Sequence, residues 1–303
     1  MTRSNFKNTI TQVNRYIGMR FDDPQLQEEL KFEADHSRIV ATEDGYVGFK
    51  VNHAGEQCVF SAVQVAAMLI NALVESVSDT AVQSGDVVVS VPAWYTDAQR
   101  RAMKAACEVA SVRCLQLVNT STAAALNYGI WKSARNEFKA EEKTHVMFLD
   151  MGYASFEAVI CSFVTGKLEV VARAYDKNVG GRNIDNAIID KFAEQFMAKH
   201  TDDPRTNPKA LIKLKEACEK AKVVLTPEGV PSANINVEFL MNEKDLLGKL
   251  SRDDYEELLK APVQVRAAGE GGGGKGGCVT SCLLLSWVCC SGVCCSVRCS
   301  VLL

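Results

Sequence analysis

Four apolar residues stop on a carboxylate, and a second apolar run begins six residues later. This feature constrains the chain most. Val146-Met147-Phe148-Leu149 is short enough for a buried strand, Asp150 ends it, and Phe156 opens a second strand that runs to Val164. Between them lie Gly152, Tyr153, Ala154 and Ser155. A carboxylate at a strand end, followed closely by glycine and serine, is one way to hold magnesium and present backbone N–H groups to phosphate. The same pattern describes a plain hairpin. Both readings stand on this stretch alone.

The flanking segments read as α/β. Ile39-Val40, residues 46–51 and residues 58–60 alternate with turn signals and predict a small meander. Before them, Ile10, Val13, Tyr16, Ile17 and Phe21 have helical spacing after Asn8 or Thr9, with Asp22-Asp23-Pro24 as the stop. Ser61 and Gln64 form a capping box for a helix whose apolar set is Val65, Met68, Leu69, Ala72, Leu73 and Val77. Val87 to Val91 lacks polar alternation beyond Ser90, which predicts a strand covered on both faces. Thr96 caps a helix over 97–110, a strand over 114–118 follows, and then a helix over 122–128. Strand and helix alternate in the manner of an α/β sheet.

Further on, strands over 156–164 and 167–175 turn at Thr165-Gly166. Gly180-Gly181 then precedes Asn183 and a helix to about residue 199. Two glycines ahead of a helix can bring N–H groups to an anion, and can equally be a turn before a capped helix. Pro208 starts a long amphipathic helix through Leu225, residues 235–240 alternate as a strand, and Ser251 caps a helix to about Lys260.

The balance of 34 basic and 37 acidic residues leaves a formal charge of −3, which asks for neither nucleic acid nor an acidic membrane surface. The first twenty residues carry scattered basic side chains and no continuous apolar core, unlike a secretory signal. Five cysteines (58, 107, 114, 161 and 218) are scattered, as suits a reducing compartment; seven crowd into 278–299. The composition changes at residue 267, where a glycine-rich linker leads into a Cys, Leu, Val and Ser tail to residue 303. The tail lacks histidine and any C-x-x-C, which disfavours zinc, and its serines and cysteines make 279–297 a poor membrane span. A segment foreign to the rest of the fold is the favoured reading.

Several stretches in order resemble the 70-kDa heat-shock chaperone family, and more closely its 110-kDa branch. They are Arg15-Tyr16-Ile17-Gly18, Val91-Pro92-Ala93-Trp94-Tyr95, Asn119-Thr120-Ser121-Thr122-Ala123-Ala124-Ala125, Leu149-Asp150-Met151-Gly152, Val179-Gly180-Gly181-Arg182 and Cys218-Glu219-Lys220-Ala221-Lys222. The branch is carried by Tyr153-Ala154-Ser155, by residues 239–243 and by residues 250–258. The resemblance implies an α/β, actin-like (ribonuclease-H-like) bilobal nucleotide-binding domain, incomplete in both lobes. Residues 1–115 would be partial lobe I, 116–266 partial lobe II, and 267–303 the linker and tail.

The resemblance implies ATP or ADP with Mg2+ as cofactors. Asp150 would approach the metal through water, Gly152 and Ser155 would lie along the phosphates, and Gly180 and Gly181 would face them. Glu219 and Lys222 would face the ribose and adenine. No catalytic residue is assigned, because this fragment is expected to lack significant ATPase activity. The family's first phosphate loop would lie before Met1, and its adenosine loop and peptide-binding domain after Val265, leaving sheet edges unpaired. The implied role is a cytoplasmic, and also nuclear, chaperone that exchanges nucleotide on a 70-kDa heat-shock partner and holds unfolded polypeptides through a domain absent here. The alternative is an ATP-hydrolysing chaperone domain of the 70-kDa type. Departures bear on that choice: the phosphate loop reads Gly152-Tyr153-Ala154-Ser155 where the family has Gly-Gly-Gly-Thr, Thr120 replaces a glutamate, and Val223 replaces the arginine that stacks on adenine.

Overall fold

The computed structural model describes residues 5–78, 86–260, 268–269 and 298–302, the last two as backbone only. It divides into two compact units, Met1–Thr120 and Ser121–Leu303.

In the first unit a three-stranded antiparallel meander, β1 (Ile39–Ala41), β2 (Val47–His53) and β3 (Glu56–Ser61), runs into α3 (Ala62–Ser78). The capping box is present: Ser61 N–H donates to Gln64 Oε1 at 2.8 Å and Gln64 N–H donates to Ser61 Oγ at 3.2 Å. The expected N-terminal helix is replaced by two short ones, α1 (Val13–Tyr16) and α2 (Pro24–Leu30). Asp23 caps α2, accepting from Gln25 N–H, so Pro24 starts a helix where a stop was expected. Gly18 explains the break after α1. Its φ is +69° and a Cβ there would stand 2.8 Å from Gln99 Cα, so the chain must turn left-handed to pass the start of α4 (Asp97–Val109).

The stretches that carried the resemblance pack on one another. Arg15 forms a buried ion pair with Glu29, and its guanidinium lies 4.7 Å from the Trp94 ring centroid. Tyr95 Oη donates to the Asn14 carbonyl at 2.7 Å, and burial pushes its pKa up. From α4, Arg100 Nη2 donates to Asn119 Oδ1 at 2.8 Å.

Strands β4 (Asp86–Val91) and β5 (Arg113–Asn119) form a two-stranded parallel sheet. The expectation that β4 is covered on both faces fails: Val91 is fully buried, yet Val88 is 59% exposed. Helix α3 shows the same pattern. Ala62, Ala66 and Ala67 are buried, whereas Met68, Leu69, Leu73 and Val77 are exposed, because α3 is covered near its N-terminal end only. Substituting Leu69→Lys with Leu73→Lys is therefore expected to change stability by less than about 0.5 kcal/mol. It should also reduce self-association; urea midpoints and light scattering at matched concentration check both.

The second unit is built on β6 (Thr144–Met151), β7 (Phe156–Val164) and β8 (Lys167–Asp176), an antiparallel meander. Side chains alternate across it. Val146, Phe148, Val159, Cys161 and Phe163 form one cluster with Ala125 of α5 (Thr120–Ala134). Met151 and Phe156 face the other way, into the larger core of α6 (Gly181–His200), α7 (Pro208–Leu225), β9 (Ser232–Met241), β10 (Lys244–Ser251) and α8 (Arg252–Leu259). Phe192, Phe196, Leu214 and Leu250 lie at its centre.

Strand β10 goes beyond the expected elements. It pairs antiparallel with β9 through a two-residue turn, Asn242-Glu243, with φ of 50° and 58°. Two successive positive φ values define a hairpin turn usually signalled by Asn-Gly; glutamate in the second place conceals it. The expectation of unpaired edges is corrected in the second unit only; in the first, β4 and β5 pair with no further strand among the described residues. β11 (Ala268–Gly269) pairs with β8, and β12 (Arg298–Leu302) pairs antiparallel with β6, from Arg298 opposite Asp150 to Leu302 opposite Val146. Residues 270–297, which carry the zinc and membrane-span alternatives, lie outside the described residues.

Candidate functional site

Asp150 and its loop form a hairpin. Met151 pairs with Phe156 and Asp150 with Glu157, leaving residues 152–155 as a four-residue connection closed by Gly152 N–H donating to the Ser155 carbonyl at 2.9 Å. Register therefore puts Glu157, a buried carboxylate, beside Asp150 on one face of the sheet. Glu157 was not among the expected site residues. Counting back across the four-residue loop finds it.

The second glycine pair is seated directly against this hairpin. Gly181 N–H donates to the Gly152 carbonyl at 3.0 Å, and Arg182 N–H to the Tyr153 carbonyl at 2.7 Å. A Cβ on Gly180 would stand 2.5 Å from Tyr153 O and 2.7 Å from Ala154 N, so glycine is required there by contact. Its φ of −174° is ordinary extended backbone. Asn183 completes the start of α6, its Oδ1 accepting from Gly180 N–H at 3.0 Å. The structure thus brings Asp150, Gly152, Ser155, Gly180 and Gly181 together. It also uses the first N–H groups of α6 on the hairpin carbonyls, an arrangement that matches the reading of a turn before a capped helix.

The N–H groups of Tyr153 and Ala154 donate to no backbone carbonyl among the described residues; Tyr153 and Ser155 are part-exposed, and Ala154 is buried against Gly180. Neither Tyr153 nor Ala154 has a positive φ, so the side chains at those places cost no backbone strain. The Tyr153 ring lies 5.6 Å from Lys215 Nζ of α7, which holds a cation at the loop.

Glu219 and Lys222, paired by the resemblance, separate. Glu219 is exposed, as is Val223 four residues on, so both lie on one open face of α7. Lys222 is 2% exposed, with its Nζ 2.6 Å from Asp185 Oδ1 of α6. Its ammonium is directed into the unit. Burial pushes the Asp185 carboxyl up, with the Lys222 charge acting in the opposite direction, and burial likewise pushes the Cys218 thiol up to about 12.

A nucleotide with magnesium fits this donor set in part. Asp150, Ser155 and the two unused N–H groups suit a metal-bound polyphosphate, and no group of three or more His, Cys, Asp or Glu that could hold a metal directly is found among the described residues. A metal held through water by one carboxylate is consistent with that arrangement. The first unit has a separate open cleft of about 470 Å³ lined by residues including Tyr16, Gly18, Tyr46, Asp97 and Arg101, and none of the expected site residues lines it. Among the described residues no helix is long and apolar enough to cross a membrane.

A family model described as "Hsp70 protein" matches residues 1–267. A heat shock protein homolog of Lachancea kluyveri is 41% identical over 258 residues, which cover 84% of this chain and 36% of that protein. Its namesake from Saccharomyces cerevisiae is 39% identical over 259 residues, covering 85% of this chain and 36% of its own length. The 97 kDa heat shock protein of Strongylocentrotus purpuratus is 36% identical over 256 residues, covering 84% and 28%. The chain spans about a third of the length of the curated relatives it matches. With the family match running through both units as far as residue 267, and with these relatives at about 40% identity, this chain belongs to the Hsp70 family, with its actin-like fold, on the 110-kDa side.

Proposed function

We propose that the second unit binds the phosphates of ATP or ADP at the 152–155 hairpin. Magnesium is held through water by Asp150, and Ser155 with the Tyr153 and Ala154 N–H groups faces the phosphates. The observation that carries this reading is the clamp of Gly180-Gly181 on the hairpin, which leaves two adjacent N–H groups unused beside a serine and a strand-end carboxylate. When bound, the metal neutralises phosphate charge; the chain's own residues bind and orient.

Glu219, exposed on α7, would meet the ribose. Lys222 acts behind it, holding α7 to α6 through Asp185. Val223 on the same open face offers only apolar contact where a guanidinium would stack on a base. These features support binding without appreciable turnover.

As part of a longer 110-kDa-type protein, the unit would let nucleotide set conformation while the protein exchanges nucleotide on a 70-kDa chaperone and holds unfolded chains, in the cytoplasm and nucleus. Support for that role comes from similarity to heat-shock proteins of this type.

The direct test is calorimetric titration of the full chain with ADP, with and without magnesium. Asp150→Ala is expected to remove the magnesium dependence and weaken ADP binding by at least about tenfold, or ~1.4 kcal/mol. Steady phosphate release that Asp150→Ala abolishes would instead favour the ATP-hydrolysing alternative. For the partner, the expected result is faster release of labelled ADP from a 70-kDa chaperone by the longer protein.

A further inference from the structure

Both edges of the second unit's central sheet are filled by the segment whose composition sets it apart from the rest of the chain. The strand order is β11-β8-β7-β6-β12, so residues 268–269 lie on one edge and residues 298–302 on the other. The β6 edge is the longer and more regular. It pairs with β7 from Thr144 to Met151 without a register shift, and it carries Val146, Phe148 and Met151 of the two cores. A regular, apolar edge of that kind accepts an extended segment through the N–H and C=O groups along it.

Sequence and register agree on how β12 sits there. Residues directly opposite in an antiparallel pair share a face. Cys299 and Val301 stand opposite Leu149 and Met147, and Arg298 stands opposite Asp150. Apolar residues are thus set against apolar ones, and the one cation of the strand is set against the carboxylate near the end of β6. A slip by one residue would put Arg298 opposite Leu149 or Met151, so the charge helps to fix the register.

We propose that the edge of β6 is a strand-docking surface whose occupant is residues 298–302 of this chain, and that the docked strand opposes magnesium at Asp150. The second half rests on the reading of the 152–155 hairpin as a phosphate site. A cation in register with Asp150 offsets the negative charge that a water-held metal needs. Docked strand and metal therefore compete for one carboxylate. Departure of the strand favours the magnesium nucleotide, and by reciprocity the magnesium nucleotide favours an open edge.

Cys299 supplies the probe. Trypsin cuts after Arg298, so Cys299 leaves in its own peptide, 299–303, apart from the other tail cysteines. The full chain carrying Leu149→Cys with Cys161→Ala is oxidised in its folded state, alkylated and digested. Expected is a link from peptide 144–167 to peptide 299–303. It should exceed severalfold the same link in Met147→Cys with Cys161→Ala, whose new thiol lies two residues out of register. The linked chain should lose its magnesium-dependent gain in ADP affinity and regain it on reduction. Arg298→Glu, which leaves β6 itself unaltered, should tighten magnesium-dependent ADP binding about two- to fivefold. Equal links from the two cysteine variants would overturn the docking. Links as expected, with ADP affinity unmoved by reduction and by Arg298→Glu, would overturn the competition alone. Absence of magnesium-dependent ADP binding in every form would overturn the phosphate reading and the competition with it.

Discussion

Replacing Gly180 by alanine is expected to destabilise the second unit by roughly 1–3 kcal/mol and to abolish nucleotide binding, because a single methyl group has nowhere to go. The added Cβ would stand 2.5 Å from Tyr153 O and 2.7 Å from both Ala154 N and Tyr153 C. All three are backbone atoms, so no side chain can swing aside. Relief requires the hairpin and the start of α6 to part, which lengthens the Gly181 to Gly152 and Arg182 to Tyr153 hydrogen bonds.

Conformation is not the cause, since alanine tolerates the φ of −174°. Gly166 makes the opposite control. Its φ is +73° with open space around it, so Gly166→Ala should cost only the left-handed strain of about 1 kcal/mol and leave binding intact. Urea unfolding and ADP titration of both variants separate contact from conformation. Equal midpoints for Gly180→Ala and wild type would show that the two loops are not clamped.

The second large effect lies in the Lys222 and Asp185 pair. Both side chains are almost fully buried, at 2% and 1% exposure. Removing one partner strands a charge: Asp185→Ala should cost ~3–5 kcal/mol, whereas the double replacement Asp185→Leu with Lys222→Met should recover most of it. A double-mutant cycle from urea midpoints measures the difference.

The pH dependence has a definite sign. Burial raises the Asp185 pKa in the folded state, so its protonated form is favoured by folding. The corresponding stability is fully present below the unfolded value of about 3.9 and lost as pH rises through the folded value. Lys222 opposes that loss. Lys222→Met should therefore be more destabilised relative to wild type at neutral pH than at pH near 4. A constant difference across that range would show that Asp185 does not titrate in this window.

Much of the site was legible because its parts are local. Asp150, Gly152 and Ser155 lie in one hairpin, and the run from Val146 into Asp150 announces it. Gly180-Gly181 before Asn183 is equally local, and Asn183 does cap α6. What could not be read was how the pieces use one another. The N–H groups of Gly181 and Arg182 end on the hairpin, and Lys222 turns towards Asp185 on the preceding helix. Spacing on α7 puts Lys222 within one turn of Glu219, but only the position of α6 decides which of the two is buried.

The sequence by itself determined what depends on neighbours within a few residues. The Ser61–Gln64 and Thr96–Gln99 capping boxes, the Asn207 cap before Pro208, the meander and the 144–164 hairpin are of this kind. Each is closed by a hydrogen bond or a turn that the local chain supplies. Tertiary structure alone decided which apolar faces are covered. An amphipathic stripe states what a helix can bury, not what lies opposite it. Hence Leu69 and Leu73 of α3, periodic as any core residue, stand exposed. Burial is a property of pairs of elements, and contact between distant segments is fixed only when the chain closes on itself.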